Sequence, residues 1–304
     1  MNDFNLEFNI NSNGEYSLDE IKELDYYKRP ELSQSMLKEL KKSPAHYKAK
    51  YIDKIVPDKD TKSLNFGKLY HCLLLEENRF DDLFAITPEI SKISNQYKSW
   101  KTEILEKNPN VSFISNKELI HAVSMVNAIK QKHTFNAIKS LPNPVFETPI
   151  YFTQEVEIDG VIHKIECKAK PDMYIPPNKV FKYGLCFDNK SSVCAKIDDF
   201  SRNTLIKYGL HNQASWYLDA IKSEYSLDNY PEFIFLVQEK EPPFEASFLR
   251  CDEYVIDFGR RENQELLTNY MKCNLSNLWT GYPDDIQDLT LPTWAMQQLI
   301  NEEI

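Results

Sequence analysis

Two aspartates and a lysine are the residues in this chain best placed to do chemistry. Asp172 follows a proline in the run CKAKPDMY, and sixteen residues later Asp188-Asn189-Lys190 ends the run LCFDNK. Side chains alternate faces along a β-strand, so Asp188 and Lys190 share one face and Asn189 points to the other. If Asp172 sits on or just after a neighbouring strand, its carboxylate falls beside that of Asp188. Two carboxylates and an ammonium at one sheet edge are the parts of a hydrolytic Mg²⁺ site: hard oxygen ligands for the ion, and a cation near the attacked phosphate. The plainer alternative is that both acids lie in surface turns, paired with nearby lysines.

Further residues are candidates for the same site. Gln213 and Tyr217 stand four apart, hence on one face of a helix, with His211, Asn212 and Trp216 close by. The alternative there is an ordinary amphipathic helix with Trp216 and Leu218 in the core. Glu147 opens a strand upstream and offers a third carboxylate. His71 lies on an apolar helix in F-G-K-L-Y-H, with Lys68 three residues earlier on the same side; that pair suits a phosphate or a metal ligand, and a core histidine is the alternative. The main-chain carbonyl of Asn189 is an additional ligand candidate. No Ser-His-Asp, Walker A or dinucleotide-binding motif competes for the role.

The elements that must hold these residues follow from periodicity and turn chemistry. Ser33 is an N-cap candidate for a helix with Leu37 and Leu40 on its apolar side, and Ser43-Pro44 ends it before a second helical piece over 45–52. A buried helix is expected over 66–76 and an amphipathic one over 116–138. Strands are expected over 145–158, 161–170 and 179–188 as a meander, with hairpin turns at Asp159-Gly160 and at Pro-Pro-Asn-Lys 176–179. A helix over 200–223, strands over 233–238 and 244–251, and a long helix from Asp252 to about residue 273 complete the chain. This order predicts an α/β (α+β) fold with a central mixed β-sheet flanked by helices.

Composition bounds the rest. The chain has 304 residues, 42% of them hydrophobic and 12% aromatic, enough to bury a large core. Six cysteines form no CxxC pair and read as reduced thiols. No apolar run approaches a membrane span and the start is acidic, so a cytoplasmic protein with no membrane partner is expected. The net charge of −10 argues against a polyanion partner only until it is located. Residues 1–26 carry seven acids against one lysine, and 283–304 five acids with no Lys or Arg, whereas 27–54 carries eight Lys or Arg against three acids. Local field governs contact. The expected organisation is an acidic arm over 1–29, a main domain over 30–282, and an acidic tail over 283–304 packing on it.

Taken together, LSQSMLKELKKSPAHYKAKYI, TKSLNFGKLYHCLLLE, CKAKPD, DNKSS, QASWY and LPTWA occur in an order that resembles the RecE-like (exonuclease VIII) branch of the PD-(D/E)xK nucleases and, more distantly, phage lambda-type exonucleases. The resemblance covers about residues 30–295. It implies a restriction-endonuclease-like core and a Mg²⁺-dependent exonuclease of linear double-stranded DNA, two ions being expected and Mn²⁺ able to substitute. Cleavage would run 5′→3′ and leave 3′ overhangs for a RecT-like single-strand annealing partner, with the subunits in a homo-oligomeric ring. Residue by residue, it makes Asp172 and Asp188 metal ligands, joined by Asn189, His71 and Glu147. Lys190 becomes the lysine that orients the attacking water, and Gln213 and Tyr217 the Q-x-x-x-Y element. Lys170 stands where arginine is usual, and Asn189 where an apolar residue is. The DNA-backbone contacts fall to Lys28, Arg29, Ser33, Ser35, Lys38, Lys41, Lys42 and Lys68. An endonuclease or repair nuclease of the same superfamily, and a non-cleaving DNA-end-binding protein, are the alternatives.

Overall fold

The structure is a computed structural model and describes residues 26–57 and 61–302; the expected acidic arm lies outside the described residues as far as residue 25. In chain order the strands are β1 Phe84–Ile86, β2 Ser112–Ile114, β3 Val145–Phe146, β4 Ile150–Ile158, β5 Val161–Ala169, β6 Met173–Ile175, β7 Leu185–Ser192, β8 Glu232–Glu239 and β9 Ala246–Arg250. The helices of seven residues or more are α1 Gln34–Lys42, α2 Lys62–Leu75, α3 Asn95–Lys107, α4 Asn116–Lys130, α5 His133–Lys139, α6 Leu210–Glu224, α7 Glu253–Ser276 and α8 Thr293–Glu302.

Five strands form the central sheet in the order β3–β6–β7–β8–β9, with β7 and β8 parallel and the other neighbours antiparallel. Alternation along β6, β7 and β8 divides their side chains between two cores. Tyr174, Cys186, Phe233, Phe235 and Val237 pack with α1, α6, α7 and the β4–β5 hairpin around Trp216. Met173, Ile175, Leu185, Phe187 and Leu236 pack beneath α2, α4 and α5. A mixed sheet with helices on both faces is the architecture expected, and β7, buried at its centre, carries Asp188 and Lys190.

The expected meander is corrected in two places. Among the strands, β4 and β5 pair with each other and with no other, from Ile150↔Ala169 to Ile158↔Val161, and form a separate hairpin rather than part of the main sheet. Its two-residue turn has φ +52° at Asp159 and +79° at Gly160, the double positive φ that matches strand twist. The strand expected from residue 179 starts at Leu185. Asn178 Oδ1 accepts from the N–H groups of Val180 and Phe181, holding that stretch as a turn, and a short strand, β6, intervenes before it.

Two helices differ as well. The run expected over 116–138 breaks at Lys132, whose extended backbone (φ −77°, ψ 125°) lets α5 turn Phe135 and Ile138 into the same core as Met125 and Ile129. The helix expected over 200–223 becomes the turns Ile197–Phe200 and Ser201–Leu205, then left-handed Gly209 (φ +64°), then α6. Helix α7 starts on Asp252, whose carboxylate accepts from Val255 N at 2.9 Å, as expected. It crosses α6 closely at Gly259, where a Cβ would sit 2.1 Å from the His211 carbonyl oxygen. Of the acidic tail expected over 283–304, residues 283–293 are exposed. Among the described residues no helix is long and apolar enough to cross a membrane.

Candidate active site

The site is assembled from β7, the start of β6, the kink after β3, and α2. Asp188 is wholly buried on β7, and Lys190, two residues on, forms an ion pair with its Oδ2. Asp172 immediately precedes β6, and its Oδ2 accepts the Asn189 N–H at 2.7 Å. Strand β3 stops because Glu147 adopts φ +44°, sparsely populated for any residue with a Cβ, and the Glu147 N–H donates to the Asp172 carbonyl at 3.2 Å. That kink turns Glu147 out of the strand path and into the site. Helix α2 is capped by Thr61, which accepts from Leu64 N at 3.3 Å. It buries Leu69, Tyr70, Cys72, Leu73 and Leu74 and so presents His71 to the carboxylates. His71 Nε2 lies 3.3 Å from Glu147 Oε1 and 3.3 Å from Asp172 Oδ2. Lys170 Nζ closes the far side at 2.5 Å from Glu147 Oε2.

This crowding sets the proton occupancy. Burial alone would push the His71 imidazole down, but the Asp172 carboxylate, helped by Glu147 and Glu76, outweighs it and raises the pKa to about 9. Asp172 is likewise opposed by burial, yet His71, Lys190 and the Asn189 N–H hold it down at about 2. Asp188 moves the other way: burial, then the Asp172 charge, raise it to about 7 despite Lys190 and His71. Burial drives Glu147 above the ordinary range against the pull of Lys170. Burial also opposes the charge on Lys190, but Asp188 and Asp172 overcome it and raise its pKa, so the side chain stays an ammonium.

These residues fit a divalent cation. His71, Glu147 and Asp172 offer ligand atoms lying within 4.8 Å of one another. Asp188 Oδ1 is buried with no hydrogen-bond donor among the described residues, an acceptor that a proton, a water or a cation would satisfy. A set of carboxylate oxygens with one imidazole suits hard or borderline divalent ions.

Helix α6 backs the pair on β7. Gln213 Nε2 donates to Tyr217 Oη at 2.9 Å, and the Tyr217 phenol is raised well above its ordinary pKa by burial and by the charges of Asp188 and Asp172. Trp216 and Leu218 belong to the core, Trp216 donating to the Lys168 carbonyl at 3.0 Å. His211 and Asn212 point away from the site: His211 Nε2 meets Glu262 Oε2 at 2.9 Å, and Asn212 donates to the Gly259 carbonyl at 3.2 Å. They hold α6 on α7.

The sequence-derived DNA contacts are dispersed. Lys28 and Lys68 are exposed. Arg29 is engaged by Glu31, Lys41 by Glu262 at 2.7 Å and Lys42 by Glu39 at 2.6 Å; of these acids only Glu262 comes from outside the 27–54 stretch. Ser33 takes the extended N-cap backbone but makes no cap bond; its hydroxyl lies 3.0 Å from that of Ser35. Lys38 donates to the Tyr208 carbonyl at 2.8 Å, and burial together with the charge of Lys190 lowers its pKa, which places it beside the site. Sequence reasoning missed Lys170 as the partner of Glu147. The available signal was strand alternation, which sets Lys168 and Lys170 on one face of the β5 path.

The chain aligns with a crystal structure named "Putative exonuclease" from Eubacterium rectale at TM-score 0.55 and 12% identity, covering 93% of this chain and 98% of that one; at such identity the likeness concerns the fold. The crystal structure of SSO0001 aligns at TM-score 0.28 and 12% identity, over 66% of this chain and 85% of that one. No curated protein matches the chain. Residues 33–290, which span His71, Glu147, Asp172, Asp188, Lys190, Gln213 and Tyr217, match the model of a family described as "PDDEXK-like domain of unknown function (DUF3799)". The chain belongs to that PDDEXK-like family, within the PD-(D/E)xK nuclease superfamily.

Proposed function

We propose that the protein is a Mg²⁺-dependent exodeoxyribonuclease of linear double-stranded DNA. It degrades one strand 5′→3′ and leaves a 3′ overhang for a single-strand annealing partner, working as a homo-oligomeric ring. The observation that carries the hydrolytic part is the cluster of His71, Glu147 and Asp172, with the Asp188–Lys190 pair close enough for the Asp172 charge to act on both. Polarity, overhang, ring and annealing partner rest on the sequence resemblance to RecE-like nucleases.

The phosphodiester repels hydroxide, and the chain's own groups address that repulsion. Asp172, Asp188, Glu147 and His71 would hold the divalent cations, which supply Lewis acidity and screen the phosphate charge. Lys190, kept protonated by its two acids, positions the attacking water and stabilises negative charge developing on the phosphate. Tyr217, with its hydroxyl held by Gln213, walls the Asp188 side of the pocket. Lys170 and the Glu147 backbone kink fix the third carboxylate so that it need not reorganise during the reaction.

The test uses purified protein with linear, nicked and covalently closed circular duplex DNA, labelled at 5′ or 3′ ends, in Mg²⁺, Mn²⁺ or EDTA. The expected result is metal-dependent release of 5′ label from linear duplex with circles untouched. Cutting of closed circles would overturn the exonuclease assignment in favour of an endonuclease. End binding without any metal-dependent product would favour a non-cleaving role.

A further inference from the structure

One large aromatic side chain near the site is not used by the fold. Tyr27 is 69% exposed, although it stands beside Lys170, the partner of Glu147. Its ring lies 5.4 Å from Lys170 Nζ, the ammonium that grips Glu147, and meets the Tyr26 ring edge-on at 5.3 Å. A tyrosine needed for packing would bury its ring, and one serving only as a solvated surface residue would have no reason to be mounted firmly.

Tyr27 is mounted firmly. Lys168, buried on β5, donates to the carbonyls of Tyr26 at 2.6 Å and Arg29 at 2.7 Å, one on either side of it. Leu32 then pairs with β5, donating to the Glu166 carbonyl and accepting from Lys168 N, each at 2.9 Å. The Arg29 guanidinium covers the Tyr151 ring at 4.2 Å. Buried Tyr26 thus forms the floor, and Tyr27 is held with ring surface open to solvent beside the pocket.

We infer that Tyr27 is a stacking platform for the base of the 5′-terminal nucleotide, the one released when the phosphodiester on its 3′ side is attacked. This deepens the nuclease reading above and rests on it. Only two links, Lys170 and Glu147, separate the Tyr27 ring from the carboxylate cluster, which is on the order of the reach from phosphate to base within one nucleotide. Aromatic stacking accepts every base because each has a π-face, which suits an enzyme that removes nucleotides regardless of sequence. The exposed ring would also hold the end nucleotide unpaired from its complement, so that the phosphodiester on its 3′ side can reach the carboxylate cluster. Lys170 beneath the ring adds a cation near the same nucleotide.

The test pairs a protein change with a DNA change. Linear duplexes are prepared with 5′ phosphate and either a normal or an abasic terminal nucleotide, and kcat/KM is measured for wild type, Tyr27→Ala and Tyr27→Phe. Stacking of this kind predicts that removing the base lowers wild-type kcat/KM by about 5- to 100-fold. Tyr27→Ala is expected to lose the same factor on normal DNA and to be indifferent to the abasic end, whereas Tyr27→Phe retains wild-type behaviour. Should Tyr27→Ala fold poorly, Tyr27→Leu keeps apolar bulk against Tyr26 without an aromatic face and is expected to show the same indifference. Wild type that ignores the base, or a Tyr27→Ala or Tyr27→Leu enzyme that discriminates as wild type does, overturns the inference while the nuclease reading stands. Wild type that cuts no DNA overturns that reading, and this inference with it.

Discussion

Replacing Lys190 with alanine is expected to lower the rate of phosphodiester cleavage by roughly 10³-fold or more while DNA retention changes little. Lys190 is the cation placed at the pocket edge with part of its side chain reachable by substrate, and Asp188 and Asp172 keep it charged. Its removal takes away the group that meets charge developing on the phosphate in the transition state. Ground-state grip is spread over backbone contacts elsewhere and survives. Single-turnover cleavage of end-labelled duplex measures the first quantity, and filter binding in Ca²⁺ the second. Near wild-type cleavage by Lys190→Ala would place the chemistry at another site; a parallel loss of binding and cleavage would make Lys190 a binding residue only.

Asp188→Asn is expected to abolish cleavage and yet stabilise the metal-free protein at alkaline pH. The folded state raises the Asp188 pKa from 3.8 to about 7, chiefly by burial and by the Asp172 charge. An acid whose pKa is raised on folding destabilises the fold as pH climbs between its unfolded and folded values, and the penalty is complete above the folded value. Asparagine, neutral and nearly the same shape, removes that penalty. The gain is on the order of 2 kcal/mol at pH 8 in EDTA, discounted from the full shift because relaxation softens buried charges. At pH 4 or below the wild-type carboxyl is itself protonated and the difference vanishes. His71 acts with the same sign: its folded pKa of about 9, against 6.5, contributes stability below pH 6.5 that is lost as pH rises through 9. Melting temperatures of the two proteins across pH 4–9 in EDTA check this. A destabilised Asp188→Asn at pH 8 would mean that Asp188 is a structural anion rather than an acid strained for function.

What the sequence made legible, and what it did not, divides along the range of the interactions. Asp159-Gly160 and Asp252 could be read because a two-residue turn and an N-cap are local. Strand alternation correctly paired Asp188 with Lys190, and helix spacing paired Gln213 with Tyr217. Alternation could not show that β4–β5 leaves the main sheet, because the same pattern serves a hairpin edge and a sheet interior. The Glu147 kink has no signal in residue type; its non-glycine φ of +44° is held by tertiary contacts. The surroundings of the basic stretch were out of reach for a related reason: Glu262, which pairs with Lys41, lies 221 residues away in the chain.

His71, Glu147, Asp172 and Asp188 are proposed to form one divalent-cation site. Crystals grown in Mn²⁺ and measured at the manganese absorption edge test it most directly. The predicted result is an anomalous peak among the Asp172 and Asp188 carboxylates and His71, which disappears in crystals of Asp172→Ala. Manganese bound only elsewhere, or a peak here that survives Asp172→Ala unchanged, would contradict it.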